Sequence, residues 1–217
     1  MSPHAKPDLR LETDLWAGGL AAVAGLDEVG RGAWAGPVVA AAVVLPPRPA
    51  ALAHLLGRVD DSKRLTAAQR ARLAGEIRDC ALAAGVGSVP ADEIDRIGIV
   101  PATRLAMQQA LAGLAVPPDY LLLDYLTLPG VALPQRGLVH GDAISLSIAA
   151  ASIIAKVARD GWMAEQERTF PGYSFAGHEG YGTAQHQAAL RRLGPCRLHR
   201  LSFAPVAQQA RLVAAPA

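Results

Sequence analysis

Four acidic residues directly follow short apolar segments of the sequence, and this placement favours metal chemistry. They are Asp27, Glu28, Asp124 and Asp142. Carboxylates at the ends of neighbouring strands converge in space, where their like charges repel and raise each other's pKa unless a cation joins them. Carboxylate oxygens are hard ligands that suit Mg²⁺ or Mn²⁺. Such a cluster is typical of two-metal phosphodiester hydrolysis, in which the ions activate a water and stabilise the leaving oxygen.

Each of these acids also has an ordinary structural interpretation. Asp142 stands where a helix is predicted to begin, and aspartate is a favourable N-cap residue. Asp124 would cap a turn, and Asp27 or Glu28 would form a surface ion pair with Arg31. The pattern of residues alone therefore leaves both the metal site and the structural roles open.

The elements that position these acids alternate between strands and helices. Apolar and β-branched runs predict strands over 21–26, 38–45, 86–89 and 120–123, with a further short apolar piece at 138–139. Helical periodicity and capping residues predict helices over 11–20, 66–84, 99–115, 143–168 and 183–193. A glycine-rich loop is predicted over 170–181, and the C-terminal tail is predicted to close with a helix. This alternation favours an α/β domain with a mixed sheet.

Composition and charge fit one globular domain. Of the 217 residues, 51% are hydrophobic and 18% are charged, which excludes a disordered chain. The net charge of +2 indicates no partner by itself. Cys80 and Cys196 lie outside any metal-like spacing, so a reduced, cytoplasmic protein is expected. No signal peptide and no run long enough to span a bilayer is found, so a membrane partner is not expected.

Six sequence blocks follow one another between Ala24 and Val206. They are GLDEVGRG at 25–32 with AGPVV at 35–39, DSKRLT at 61–66, DYLLLD at 119–124, GD at 141–142 with SIAAASIIAKVARD at 147–160, GYGT at 180–183, and HRLSFAP at 199–205. In this order the blocks resemble the type 2 ribonuclease H family, bacterial ribonuclease HII. The resemblance implies a ribonuclease H-like fold, a mixed five-stranded sheet flanked by helices, with a helical C-terminal segment. The expected organisation is a tail and short helix over 1–20, a catalytic domain over 21–206 and a tail over 207–217.

The resemblance also implies an activity. It implies a metal-dependent endoribonuclease whose catalytic Mg²⁺ or Mn²⁺ ligands are Asp27, Glu28, Asp124 and Asp142. Such an enzyme hydrolyses the RNA strand of RNA–DNA hybrids and cuts on the 5′ side of ribonucleotides embedded in duplex DNA, leaving 3′-hydroxyl and 5′-phosphate ends. Hybrids and ribonucleotide-containing DNA are therefore the expected partners, and a monomer is the expected state.

Further residues resemble parts of the family's substrate site. Gly30, Arg31 and Gly32 resemble the segment whose backbone approaches the ribose 2′-hydroxyl, and glycine permits such an approach; a plain tight turn is the alternative. Tyr181 resembles a tyrosine that stacks on the sugar beyond the RNA–DNA junction, with simple loop packing as the alternative. The candidate phosphate contacts are Lys63, Arg64, Lys156, Arg159 and Arg200, each of which has a solvated or structural alternative.

Other polar residues have less specific interpretations. Asp160 is either an acid behind the metal ligands or part of a helix ion pair beside Arg159. The spacing of the histidines fits no helical ligand pair, so zinc is not expected; they are His178, His186 and His199. The serines match no nucleophile motif and are expected to help a helix pack closely; they are Ser145, Ser147 and Ser152.

Three positions depart from the family's usual pattern. His140 stands where lysine is usual, which would weaken a phosphate contact or make it pH-dependent. Tyr125 stands where glycine is common, so the local loop is expected to differ. Ala158 replaces a usual threonine. None of these departures removes a proposed metal ligand.

Overall fold

A computed structural model describes residues 6–52, 54–55, 57–60 and 62–214 of the chain. The expectations for residues 1–5, for Asp61 and for residues 215–217 lie outside the described residues. Five strands form a mixed sheet in the order β3-β2-β1-β4-β5. Their bounds are Val23–Val29 (β1), Val38–Val44 (β2), Ala83–Val89 (β3), Tyr120–Asp124 (β4) and Gln135–Leu138 (β5). The predicted mixed five-stranded sheet is therefore confirmed.

Eight helices accompany this sheet in the described ranges. Their bounds are Arg10–Ala17 (α1), Ala67–Cys80 (α2), Ala91–Ile97 (α3), Ile99–Ala112 (α4), Leu146–Thr169 (α5), Phe175–His178 (α6), Ala184–Leu193 (α7) and Ala204–Ala214 (α8). Short 3-10 turns lie at Pro49–Leu52 and Gly141–Ala143. Within these ranges no helix is both long and apolar enough to cross a membrane.

The two faces of the sheet are covered by different helices. On one face, Leu26 of β1 and Leu121 of β4 pack with Met107 of α4. On the other face, Val43 of β2 packs with α5 and α2, which contribute residues such as Ile154. β2 is buried along its whole length because both of its faces are covered.

Strand direction brings the ends of β1 and β4 to the same edge of the sheet. These strands pair in parallel, with Leu26 opposite Leu123, so Asp27 and Asp124 follow at adjacent positions. β5 also runs parallel to β4 and ends with Leu138 opposite Asp124. The chain beyond β5 therefore reaches Asp142 at this same edge.

The structure differs from the prediction most clearly around β3. The predicted helix over 66–84 ends at Cys80, and the strand predicted over 86–89 begins at Ala83. Gly85 and Gly87 make this part of the sequence less typical of a strand. In the structure, a Cβ atom on either residue would lie within 2.1 Å of a backbone oxygen of α4. These glycines let α4 pack directly on the strand backbone. The sequence does not predict helix α3. It also does not predict the short helix α6, which lies inside the predicted loop 170–181.

Candidate active site

One cavity of about 410 Å³ lies at the edge where β1 and β4 end. The sequence-predicted site residues that line it are Asp27, Glu28, Gly30, Arg31, Gly32, Lys63, Asp124, Asp142 and Tyr181. Lys156, one of the candidate phosphate contacts, also lines the cavity, together with Val29, Ser62 and Ser152. The structure thus brings all nine residues to one place, although they come from five separate parts of the chain.

A hydrogen bond from the backbone of Gly141 to the Asp124 carboxylate holds the turn that carries Asp142 against β4. The Gly141 N–H group donates a hydrogen bond of 2.7 Å to Asp124 Oδ1. His140 precedes this turn in a left-handed conformation with φ of 56°. Helix α5 begins only at Leu146, and Ser145 is its N-cap, because the Ser145 hydroxyl accepts a hydrogen bond from the Ile148 N–H group. The alternative in which Asp142 caps the helix is therefore wrong.

The acids are held in an environment that opposes their negative charge. Burial raises the pKa of Asp27 well above its ordinary value, and the charges of Glu28 and Asp124 raise it further. Burial also raises the pKa of Glu28, although Arg31 acts in the opposite direction. The pKa of Asp124 is raised by burial and by the charge of Asp142, against the hydrogen bond from Gly141. A bound cation would offset each of these effects.

The donor set fits a hard divalent cation. All four acids offer carboxylate oxygens, and Glu28 Oε2 is buried with no hydrogen-bond partner among the described residues. In the described part of the chain, no three His, Cys, Asp or Glu side chains are close enough to hold one ion in their present rotamers.

Arg31 and Glu28 form an ion pair at the rim of the cavity. Arg31 Nη1 lies 3.1 Å from Glu28 Oε1. The structural alternative for Glu28 is thus realised in this structure, and the same carboxylate also faces the cavity. Gly30 adopts φ of +89°, and a Cβ atom there would lie 2.2 Å from Arg159 Nε, so only glycine fits.

The prediction that Arg159 and Arg200 contact phosphates is wrong. Both side chains are fully buried and donate to backbone carbonyl groups. Arg159 donates to the carbonyls of Ala35, Pro37 and Glu179, and Arg200 donates to those of Arg31 and Gly36. The two arginines therefore hold the backbone of 31–37 in place, and Arg159 also connects it to Glu179. The guanidinium carbon of Arg159 also lies 5.4 Å from the centre of the Tyr181 ring, so Arg159 contacts both the Gly30 segment and the Tyr181 segment.

The remaining candidate cations are partly engaged with acids. Lys156 lines the cavity but pairs with Asp160 at 2.8 Å and lies 3.9 Å from Glu179. Asp160 also pairs with Arg70, so it is a helix ion pair with Lys156 rather than with Arg159. Arg64 is largely exposed, lies 3.5 Å from Asp60 and lines a neighbouring depression instead of the cavity.

Three histidines that the sequence separates form a buried cluster under the Tyr181 loop. The His178 and His186 rings stack with centroids 4.4 Å apart, and His186 Nε2 lies 3.1 Å from His199 Nε2. His186 Nδ1 donates to the Tyr181 carbonyl, and His199 Nδ1 accepts from the Cys196 N–H group. Burial lowers the pKa of both His186 and His199 to about 4. These rings are therefore neutral structural groups near pH 7.

Comparisons with known proteins agree with this fold. The family model described as ribonuclease HII matches residues 24–206. A ribonuclease HII of Chloroflexus aurantiacus is 58% identical over 200 residues, which cover 92% of this chain and 94% of that protein. The crystal structure of ribonuclease H2 from Pyrococcus horikoshii OT3 superposes with a TM-score of 0.75 at 23% identity, and the match covers 88% of this chain and 98% of that chain.

A second solved structure, Bst-RNase HIII in complex with Mn²⁺, superposes with a TM-score of 0.69 at 22% identity, covering 93% of this chain and 73% of that chain. Fold and site together define a ribonuclease H-like nuclease. The chain belongs to the ribonuclease HII family. Members of this family are metal-dependent hydrolases that degrade the RNA of RNA–DNA hybrids.

Proposed function

We propose that this chain is an endonuclease that cuts the RNA strand of RNA–DNA hybrids and cuts 5′ of single ribonucleotides embedded in duplex DNA. The products would carry 3′-hydroxyl and 5′-phosphate ends. One observation carries the proposal: the four acids share a cavity with Gly30–Gly32 and Tyr181. A phosphodiesterase without ribose selectivity would not need the second group of residues.

The residues that would hold two Mg²⁺ or Mn²⁺ ions are Asp27, Glu28, Asp124 and Asp142. Support comes from the raised pKa values of Asp27, Glu28 and Asp124, since their negative charges are poorly compensated by the protein itself. When bound, such ions would activate a water and stabilise the leaving oxygen. The Mn²⁺ complex of Bst-RNase HIII supports manganese as one candidate ion.

Substrate selection would fall to the loops opposite the acids. The backbone of Gly30–Gly32 would approach the ribose 2′-hydroxyl, and Gly32 is exposed with no atom within 4 Å of a Cβ placed on it. Tyr181 would stack on the sugar beyond the RNA–DNA junction. Lys63 lines the same cavity and would contact a backbone phosphate.

Replacement of Asp124 with Asn tests the role of the acids. Asp124→Asn keeps an oxygen that can accept the Gly141 N–H group but removes a charge from the cavity. We expect cleavage of an RNA–DNA hybrid to be abolished while hybrid binding, measured by fluorescence anisotropy, stays close to wild type. Asp79→Asn, at an exposed position of α2, is the matched control and should cleave normally. Wild-type turnover by Asp124→Asn would contradict the proposal.

A further inference from the structure

The N-terminal segment that contains α1 lies outside the residues matched by the family model, yet it contacts the turn that carries Asp142. The Asp8 N–H group donates to the Ile144 carbonyl at 3.1 Å, and the Leu146 N–H group donates to the Asp8 carbonyl at 2.8 Å. These hydrogen bonds form an isolated parallel β-bridge between Asp8 and Ser145. The segment is therefore attached to the chain that immediately follows Asp142.

A buried carboxylate strengthens this attachment. Glu12 of α1 is completely buried. Its Oε1 atom accepts hydrogen bonds from the Ser145 hydroxyl at 2.5 Å, the Ser147 N–H group at 2.9 Å and the Ser147 hydroxyl at 2.6 Å. A buried carboxylate without such donors would be strongly destabilising, so these three donors hold the start of α5 against Glu12.

A chain of hydrogen bonds connects Glu12 to two of the proposed metal ligands. The Ser145 hydroxyl donates to Glu12, and the Ser145 N–H group donates to the Gly141 carbonyl at 2.9 Å. The Gly141 N–H group in turn donates to Asp124 Oδ1 at 2.7 Å. Asp142 lies inside this chain, between Gly141 and Ser145, so its backbone is fixed from both sides.

β1 also contacts this part of α5. A Cβ atom on Gly25 would lie 2.2 Å from the backbone carbon of Ser147, so strand and helix backbones are in direct contact. Gly25 is two residues before Asp27 on this strand. The start of α5 therefore contacts both Glu12 and β1. A shift of the helix on release from Glu12 would move the Asp142 turn relative to Asp27.

We propose that Glu12 is a positioning residue for the metal-binding carboxylates. The N-terminal segment that contains α1 would thereby help to hold the active site in place. The inference builds on the proposed metal site. Residues that orient metal ligands through hydrogen bonds usually change metal affinity by about 10- to 100-fold when they are removed. Glu12 reaches Asp142 and Asp124 only through backbone and serine groups, so an effect of about 10-fold is expected.

Direct Mn²⁺ binding to the full chain, measured by titration calorimetry without substrate, tests this inference. Glu12→Ala should weaken binding about 10-fold. Glu12→Gln should bind within a few-fold of wild type, because its amide oxygen can accept from the same three donors. Asp14→Asn is the matched control on the exposed face of α1 and should bind as wild type. Circular dichroism at the titration temperature confirms that each variant is folded.

The outcomes separate the inference from the proposed function. Folded Glu12→Ala with wild-type Mn²⁺ affinity would overturn the positioning role and leave the metal site intact. If Glu12→Ala does not fold, Glu12→Asp replaces it, since its shorter side chain cannot reach all three donors; unchanged affinity in that variant would equally overturn the inference. Wild-type protein that binds no Mn²⁺ and no Mg²⁺ would refute the proposed metal site, and this inference with it.

Discussion

Acid should destabilise this protein through the buried pair His186 and His199. Burial lowers the pKa of each ring from 6.5 to about 4, with a further contribution from neighbouring histidines. In the unfolded chain both rings take up a proton near pH 6.5, so between about pH 6.5 and 4 the unfolded state binds more protons. The contribution of these neutral rings to the free energy of unfolding is therefore fully present above about pH 6.5, and it is lost as the pH falls toward 4. The lowering of each pKa corresponds to about 3 kcal/mol of unfolding free energy for each ring.

Replacement of His199 with Asn isolates the contribution of one ring to the pH dependence of stability. The Asn oxygen can still accept from the Cys196 N–H group, but His186 loses its partner at Nε2. At pH 8 the free energy of unfolding of His199→Asn should be about 1–3 kcal/mol below that of wild type. This gap should narrow by about 1.4 kcal/mol per pH unit between about pH 6 and 4.5, because the wild type takes up one more proton on unfolding.

Urea unfolding at a series of pH values measures this gap. The raised pKa values of Asp27, Glu28 and Asp124 act in the opposite direction, since a carboxyl with a raised pKa gains relative stability as it is protonated in acid. These groups are present in both proteins, so their effect cancels in the difference. A gap that stays constant from pH 8 to 4.5 would refute the assignment of His199 as a buried neutral ring.

Two further changes test the scaffold of the site. Arg200→Gln should lower the free energy of unfolding by about 2 kcal/mol or more, because the buried carbonyls of Arg31 and Gly36 lose their donors; wild-type stability in urea would contradict this. Gly25→Ala should destabilise by about 1–3 kcal/mol, because its Cβ would overlap the backbone of α5. Gly75→Ala, on α2 with open space around it, should instead stabilise by about 0.5–1 kcal/mol, and equal effects of the two alanines would contradict the packing argument.

The location of the acids could be predicted from sequence because it depends on local patterns. Short apolar runs that end in an acid predict buried strands with carboxylates at one edge, and the parallel pairing of β1 with β4 realises this for Asp27 and Asp124. The capping box at Thr66 is also a local signal, and it correctly predicts where α2 begins. The end of α2 could not be predicted, because the alanines and glycines in 81–87 show no clear helical or strand periodicity.

The groups that support the acids could not be predicted, because their partners lie far away in sequence. Arg159 and Arg200 have the charge expected of phosphate contacts, and only the tertiary structure supplies the backbone carbonyls that bury them. Glu12 has the sequence pattern of an ordinary helix acid, yet its partners Ser145 and Ser147 are more than 130 residues away. No periodicity in one sequence contains such pairings.

The proposed activity is ribose-specific, metal-dependent cleavage at the cavity formed by the four acids. The most direct test is a labelled DNA duplex that carries a single ribonucleotide, incubated with the protein and Mg²⁺ or Mn²⁺. An all-DNA duplex and a long RNA–DNA hybrid serve as controls. We expect cleavage only with metal, at the bond 5′ of the ribonucleotide, and none in all-DNA. Cleavage of the all-DNA duplex, or no cleavage of either ribonucleotide-containing substrate by folded protein, would contradict the account.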